Sequence, residues 1–176
     1  MILRNWANWA SLRNRGSSGN KVIVKNTKAQ TYDIDTSKTT FAGVITNNNY
    51  AENTGNVGFT NIGIALGSGT TPPTVENYKI ENHLFFANVS ASNDIASGNS
   101  YAGNSTHTFT QTVKNETNAD ITVTEIGVFG ASAGSNAVCT LLTRDVINPV
   151  IVGVGETKTF IVRVDLAQMA TSVQAS

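Results

Sequence analysis

The sequence predicts an all-β protein, an antiparallel β-sandwich of the jelly-roll or immunoglobulin-like type with an N-terminal basic arm. Two features of composition indicate sheets: Asn and Thr make up about a quarter of the chain, and charged residues only 14%. Thr favours extended backbone and Asn favours turns, so this polarity is typical of strands joined by tight connections. The third observation is uneven charge. Six Lys and Arg residues precede the first acidic residue, Asp33, and the other six share the rest of the chain with all twelve Asp and Glu residues.

Residues 1–20 are predicted to form a docking arm and linker, ahead of a body at residues 21–170 and a flexible tail at residues 171–176. Apolar residues of the arm recur near helical spacing, which predicts a short amphipathic helix that binds a partner surface. Gly and Ser at positions 16–19 are typical of a flexible linker. The residues expected to bind the partner are Arg4, Trp6, Trp9, Leu12, Arg13 and Arg15.

Period-two alternation begins at Lys21 and predicts the first strands of the body. Short extended runs are expected at residues 22–25, 32–34 and 41–46. A loop rich in Asn follows at residues 47–56. The next strand is expected within residues 57–66, where two glycines suit a bulge or a close backbone approach.

Residues 67–78, with the sequence GSGTTPPTVENY, are predicted to form a loop. The consecutive Pro72 and Pro73 impose an extended backbone, and the preceding glycines let the chain leave a strand sharply. A phosphate-binding loop is the functional alternative. It would need a Gly-Lys-Ser/Thr ending and a long following helix, and the sequence has neither, so we interpret this segment as an ordinary connection.

The clearest strands are expected in the C-terminal half. At residues 106–113 four threonines share one face, and the ranges 121–129, 138–147 and 159–166 alternate in the same way. Pro149 and the glycines after it are assigned to a connection. Strands at such regular spacing, separated by polar turns, favour an antiparallel sandwich.

No catalytic, cofactor or metal site is predicted, and we do not expect an enzyme. His83 and His107 are far apart, and neither has a second ligand at metal-binding spacing. Asp33 and Asp35 would share one face of a strand, but without further acidic neighbours we interpret them as solvated turn residues. The single cysteine, Cys139, lies in an apolar run, which indicates a buried small hydrophobic residue.

Nucleic-acid and membrane partners are not expected for the basic arm. A DNA-binding tail is commonly denser in Lys and Arg, and two tryptophans with three arginines give only marginal membrane affinity without lipidation. The start of the chain lacks a continuous apolar signal region, and no stretch is long enough to cross a bilayer. We therefore expect a soluble protein made in the cytoplasm, whose arm binds another protein.

One class of protein has segments of similar sequence in the same order as three segments of this chain. These are residues 67–81 (GSGTTPPTVENYKIE), 109–129 (FTQTVKNETNADITVTEIGVF) and 141–166 (LLTRDVINPVIVGVGETKTFIVRVDL). They resemble small β-rich virion structural proteins of tailed bacteriophages, of the capsid auxiliary or decoration, head-fibre or tail accessory type. The resemblance implies a non-enzymatic virion component that contacts capsid or tail subunits. A protein outside the cell that has no disulfides must be stabilised by packing and by association, and neighbouring copies can cover strand edges, so we also expect a homo-oligomer. The resemblance covers residues 61–166, so the docking role of the arm is inferred from the arm residues themselves.

A glycan-binding or host-adhesion module is the alternative function. β-Sandwiches often present aromatic rings in exposed loops, where the rings stack on sugars. Tyr50, Tyr78 and Tyr101 lie in loop-like segments and are the candidates for such contacts.

Overall fold

The computed structural model describes residues 1–6, 8, 21–35, 43–44, 50, 61–94, 106–131 and 139–165. Within these residues the chain is almost entirely β, and helical backbone is confined to residues 4–6 and 8. The all-β class predicted from the sequence is therefore confirmed. The strands are β1 (Lys21–Lys25), β2 (Thr31–Asp35), β3 (Gly43–Val44), β4 (Asn61–Gly67), β5 (Ala87–Asp94), β6 (Thr106–Lys114), β7 (Ile121–Ala131), β8 (Cys139–Val152) and β9 (Thr157–Asp165).

The strands form two main sheets and a hairpin. Sheet I has the order β3-β4-β7-β8, sheet II has the order β5-β6-β9, and β1 pairs with β2. All neighbours are antiparallel except the two-residue β3, which runs parallel to β4. The chain passes from sheet I (β4) to sheet II (β5, β6), back to sheet I (β7, β8) and again to sheet II (β9). Alternation between sheets brings residues distant in sequence into one core.

Sheet II has the register that its alternating sequence predicts. Phe109 and Val113 of β6 are buried, whereas Thr110 and Thr112 are only half-buried on the opposite face. On that outer face Thr112 lies opposite Thr159 of β9, and their hydroxyl groups are 2.9 Å apart. The threonines thus occupy the outer face of the sheet, where their branched Cβ atoms suit extended backbone.

Strand β8 is longer than predicted, because it continues through Pro149 to Val152. Val150 pairs with Val123 and Val146 pairs with Glu125, so residues 147–149 lie opposite a single residue of β7. Proline lacks a backbone donor and is tolerated in such a bulge at a sheet edge. The expectation that Pro149 lies in a connection was therefore wrong.

The sequence did not predict β5, which spans Ala87–Asp94. Its residues are ANVSASND, with one large aliphatic side chain, so its hydrophobic alternation is too weak to mark a strand. It forms because β6 supplies a complementary edge, with which it pairs from Ala87 to Asp94 through one register shift. Backbone pairing with β6 therefore contributes more to the formation of β5 than the side chains of β5 do.

A first hydrophobic cluster joins the two sheets. Each of the strands β4, β6, β7, β8 and β9 contributes buried apolar side chains, and Phe109 of β6 and Leu142 of β8 are at most 2% exposed. Apolar burial contributes roughly 25 cal/mol per Å², so this cluster is the main source of stability. Its buried members are Trp6, Val24, Ile62, Ile64, Leu66, Phe86, Phe109, Val113, Val123, Val128, Leu142, Val152, Phe160 and Val164.

A second cluster covers the other face of sheet I. Phe129 and Leu141 of this face pack with Ile80 from the loop between β4 and β5, and with Leu3 and Tyr50. Sheet I is thus buried on both faces, by sheet II on one side and by irregular segments on the other. Strands buried on both faces lose the simple alternation of exposed strands, which explains the continuous run of buried residues at 139–144.

Asn115 holds together the connections at one end of the two sheets. Its side-chain amide donates to the carbonyl oxygens of Ala119 and Val152, each at 2.8 Å, and its backbone N–H donates to Glu156 at 2.9 Å. The β6–β7 connection is thereby bonded to the β8–β9 turn, where Gly155 adopts a φ of 75° that favours glycine.

The N-terminal residues 1–6 pack into the body, which differs from the expectation that they belong to a separate arm; residues 7 and 9–20 of that predicted arm lie outside the described residues. Trp6 is a member of the first cluster and is only 2% exposed. An amphipathic segment buries its apolar face on whatever complementary surface is nearest, and here that surface belongs to the same chain. The segment is therefore part of the fold.

We predict that Trp6→Ala lowers the free energy of unfolding by about 3–5 kcal/mol, the usual cost of removing a buried aromatic side chain. Urea denaturation followed by circular dichroism measures this change. The matched control is Arg4→Ala, because the Arg4 side chain is 63% exposed and should matter much less. An unchanged stability of the Trp6 variant would show that this segment is not part of the folded body.

Candidate interaction surface

The N-terminal segment, residues 1–6, lies along the outer edge of β8. The backbone N–H of Leu3 donates to the carbonyl of Leu142 at 3.0 Å, and the N–H of Arg144 donates to the carbonyl of Met1 at 3.0 Å. These bonds satisfy backbone groups that an edge strand would otherwise expose to other chains. The segment therefore covers one edge of sheet I.

Asn5 joins this segment to the β1–β2 hairpin. Its side chain is buried, and its amide nitrogen donates to the carbonyls of Lys25, at 2.9 Å, and Leu141, at 3.0 Å. Its amide oxygen accepts the N–H of Lys25 at 2.9 Å. Asn8 adds a bond from its side-chain nitrogen to the carbonyl of Ile23 at 2.7 Å. A short polar side chain that both donates and accepts can join two backbones in this way.

A buried ion pair lies beneath the N-terminal segment. Arg144 of β8 donates through Nε to Oε1 of Glu125 of β7, and the two side chains are 2% and 0% exposed. Glu125 also accepts the N–H groups of Gly69, at 3.2 Å, and Glu81, at 3.0 Å. Burying two charges costs several kcal/mol per ion, so these additional bonds are needed to compensate for lost hydration.

The loop between β4 and β5 is attached to sheet I through the same arginine. Arg144 donates to Asn77 Oδ1 at 3.0 Å and contacts Glu81 Oε2 at 3.4 Å. Hydrogen bonds from the Thr71 hydroxyl and amide, aided by the charge of Arg144, lower the pKa of the Glu81 carboxyl. The loop is thus held by carboxylates and amides acting on one guanidinium group.

The glycine-rich start of this loop has a structural use. A Cβ atom at Gly69 would lie 2.6 Å from Cβ of Glu81 and 2.6 Å from Oε2 of Glu125, so a larger residue would displace the loop or the buried carboxylate. The amide of Gly69 thereby donates a hydrogen bond to the Glu125 carboxylate of its own chain, at 3.2 Å.

A surface hollow of about 340 Å³ lies where the N-terminal segment crosses the hairpin and the loop. Arg4 is 63% exposed at its edge and forms an ion pair with Glu76. Of the aliphatic side chains that line it, Ile23 and Val75 are 59% and 49% exposed, and Val24 is buried. We call this surface the N-terminal hollow; its lining residues are Arg4, Asn5, Asn8, Ile23, Val24, Lys25, Thr31, Val75, Glu76 and Asn77.

The residues predicted to bind a partner have different positions. Arg4 lies at the edge of the N-terminal hollow, but Trp6 is buried in the core and is not available to a partner. The other four lie outside the described residues: Trp9, Leu12, Arg13 and Arg15.

Sequence reasoning missed Asn5, Glu125 and Arg144, which organise this region. Part of the signal for the ion pair was present, because Glu125 is the single charged residue of β7. A lone charge in a central strand is rarely buried unless it is paired. In β8 the signal was weaker, since Arg144 is followed directly by a second charged residue, Asp145. The position of Asn5 depends on long-range contacts and had no local signal.

The tyrosines proposed for glycan contact are less accessible than expected. Tyr50 is 4% exposed, and its hydroxyl accepts the N–H of Ile80 at 2.7 Å. Tyr78 is half-buried, with Lys25 Nζ 5.2 Å from its ring centroid, and Tyr101 lies outside the described residues. The expectation that Tyr50 lies in an exposed loop was therefore wrong.

An exposed aromatic ring is found at Phe85, which is 65% exposed. Its ring centroid lies 4.4 Å from that of His83, in an edge-to-face arrangement, and His83 in turn lies 4.8 Å from Tyr50. Edge-to-face contacts between rings stabilise such an arrangement. His83 is thus a packing residue between two aromatic rings.

The remaining sequence candidates are placed as follows. Cys139 is buried, as its apolar surroundings indicated. His107 lies in β6, and Asp33 and Asp35 lie in β2 opposite Ile23 and Lys21. Within the described ranges, no cluster of three His, Cys, Asp or Glu residues is placed to hold a metal ion, and no helix is long and apolar enough to cross a bilayer.

No protein-family model, curated protein or solved structure matches this chain.

We predict that Glu125→Gln lowers the free energy of unfolding by about 3–5 kcal/mol, because it leaves the Arg144 charge buried without its main partner. Chemical denaturation measures the loss. The control is Glu116→Gln, which breaks the exposed ion pair with Lys114 and should change stability far less. Equal effects of the two variants would contradict the central role of the buried pair.

A second prediction concerns pH. The folded protein keeps Glu81 ionised at lower pH than the unfolded chain does, so its stabilising contribution is present at neutral pH and is lost as the pH falls through the folded pKa. Glu81→Gln should therefore melt below the wild type at neutral pH and together with it at acidic pH. Thermal scans across that range, with hydrogen exchange at the Thr71 amide, test this; a difference that persists in acid would contradict it.

Proposed function

We propose that this chain is a non-enzymatic structural protein of a tailed-bacteriophage virion, which docks on capsid or tail subunits through its N-terminal region and assembles as a homo-oligomer. The observation that carries the docking proposal is the N-terminal hollow. It places an exposed guanidinium group, Arg4, beside two exposed aliphatic side chains, Ile23 and Val75. Such a combination is typical of protein–protein contacts, in which Arg and apolar anchors contribute much of the affinity.

The architecture supports the same proposal. We assign the body to the antiparallel β-sandwich class, since the first hydrophobic cluster joins side chains of sheets I and II. The charged side chains on the face of sheet I away from sheet II stabilise the fold. Arg144 and Glu125 form hydrogen bonds to each other and to the loop between β4 and β5. A body fixed in this way suits a component that has to keep its shape within a particle, and we place it in the virion after synthesis in the host cytoplasm.

The charged residues at the edge of the N-terminal hollow indicate the chemical character of the partner surface. Arg4 already pairs with Glu76 at the edge, and both side chains are more than half exposed. An exposed pair of this kind contributes little to stability, so a carboxylate of a partner can replace Glu76 at small cost. The expected partner surface is therefore acidic at one point and apolar beside it.

Glycan binding is the second candidate function, and the exposed ring of Phe85 favours it. A ring of this exposure offers a face on which a sugar can stack. The two functions use separate surfaces, since Phe85 does not line the N-terminal hollow.

We predict that Ile23→Asp weakens binding of the purified full chain to particles that lack it by roughly tenfold, because it places a charge in an apolar contact. Co-sedimentation measures the binding. The control is Ile151→Asp, since Ile151 is 53% exposed but lies on β8, outside the hollow. Equal binding of wild type and the Ile23 variant would contradict docking at this surface. Binding to host polysaccharide that is lost in Phe85→Ala, without binding to particles, would favour the second function.

A further inference from the structure

The two sheets differ in how their outer edges are covered. The edge of β8 in sheet I carries the N-terminal segment, through the bonds of Leu3 and Arg144 described above. In the described part of the chain, β9 of sheet II pairs only with β6, so its opposite edge has no strand neighbour. Unpaired backbone donors and acceptors along a strand are a template for another strand.

Of the features by which edge strands avoid pairing, β9 has two cationic residues, Lys158 and Arg163, but neither a bulge nor a proline. Its nine residues, Thr157–Asp165, pair with β6 in one unbroken register and include no proline. By contrast, β8 contains Pro149 in a bulge, and β5 has a register shift. Bulges and prolines blunt an edge, so β9 is the more regular of the edge strands in the two main sheets compared here.

Strand β9 carries apolar side chains on both faces, and the other residues of its outer face are polar. Ile161 is 55% exposed on the outer face, between Thr159 and Arg163. On the inner face, Phe160 and Val162 border a groove of about 500 Å³ that runs between β9 and the second half of β8. The groove is lined on its far side by the aliphatic residues Ile2, Ile126, Ile147 and Val150.

We propose that β9 pairs antiparallel with β9 of a second copy of this chain, about a two-fold axis at Ile161, which joins two copies of sheet II into one six-stranded sheet. The proposal rests on the proposed assembly of the chain as a homo-oligomer and names the surface that forms it. The added strand lies roughly 4.8 Å from β9 and therefore covers the apolar groove.

The register follows from the sequence of the strand. Side chains of paired residues must share a face, and only an axis at Ile161 pairs all nine residues of Thr157–Asp165. In that register Ile161 meets Ile161 of the second copy, and Arg163 meets Thr159. Lys158 meets Val164, so neither cation of the strand lies opposite its equivalent. Shifting the axis to Arg163 would oppose two guanidinium groups, which is destabilising.

Sedimentation of the purified full chain over a range of concentrations tests the pairing. We expect wild type to form a dimer or a higher even oligomer, and Ile161→Lys to raise the dissociation constant at least about tenfold, because it places two ammonium groups on the axis. The control, Ile151→Lys, changes an isoleucine of matched exposure on β8 and should associate as wild type does.

Cysteine cross-linking tests the register without requiring a loss of stability. The native Cys139 is buried, so it does not compete for oxidation. Cross-strand Cβ atoms lie about 4.5 Å apart, within reach of a disulfide. Ile161→Cys should therefore cross-link to itself, whereas Thr159→Cys should cross-link only when mixed with Arg163→Cys.

Wild type that stays monomeric at all concentrations, association unaffected by Ile161→Lys, or self-cross-linking of Thr159→Cys would each overturn the proposal. These measurements contain no particles, so they separate the two proposals. A dimer that fails to bind particles would overturn docking and keep the pairing, while a monomer that binds particles would do the reverse.

Discussion

The buried ion pair of Arg144 and Glu125 fixes how four separate parts of the chain meet. Glu125 accepts backbone N–H groups from the loop after β4, and Arg144 reaches Asn77 of that loop as well. The backbone of Arg144 also binds the N-terminal segment. A buried charge must be satisfied by the protein, so movement of the loop would break the hydrogen bonds that compensate Glu125 and Arg144 for their lost hydration.

This constraint explains why the second face of sheet I is covered by irregular segments. Ile80 and Leu3 supply the apolar cover, but apolar contacts alone have no directional preference. The hydrogen bonds to Glu125 and from Asn5 fix the orientation of the loop and of the N-terminal segment on the sheet, because each donor or acceptor has to face a particular backbone group. Specificity on this face therefore comes from polar groups and stability from the hydrophobic ones.

The strands that could be predicted from the sequence are those with strong local alternation of apolar and polar residues. β6, β7 and β9 were predicted to within about two residues at most ends, since alternation of large apolar and Thr residues reports a strand directly. β5 was missed because its pattern of small residues gives no such signal. Trp6 was assigned to a partner surface because the spacing of apolar residues shows that a segment has an apolar face, but does not show which molecule covers that face. The pairing of Arg144 with Glu125 could not be predicted without knowing that β7 and β8 are neighbours.

The burial of Trp6 changes which groups can carry the proposed docking. Asn8 donates to the carbonyl of Ile23, so the N-terminal segment is bonded to the β1–β2 hairpin beside the N-terminal hollow. Because the indole of Trp6 is buried in the core, the exposed groups that the structure describes at this surface are the guanidinium group of Arg4 and the aliphatic side chains of Ile23 and Val75. Arg and apolar anchors are the kinds of group that contribute most of the affinity at protein interfaces, so the proposed docking depends on these side chains.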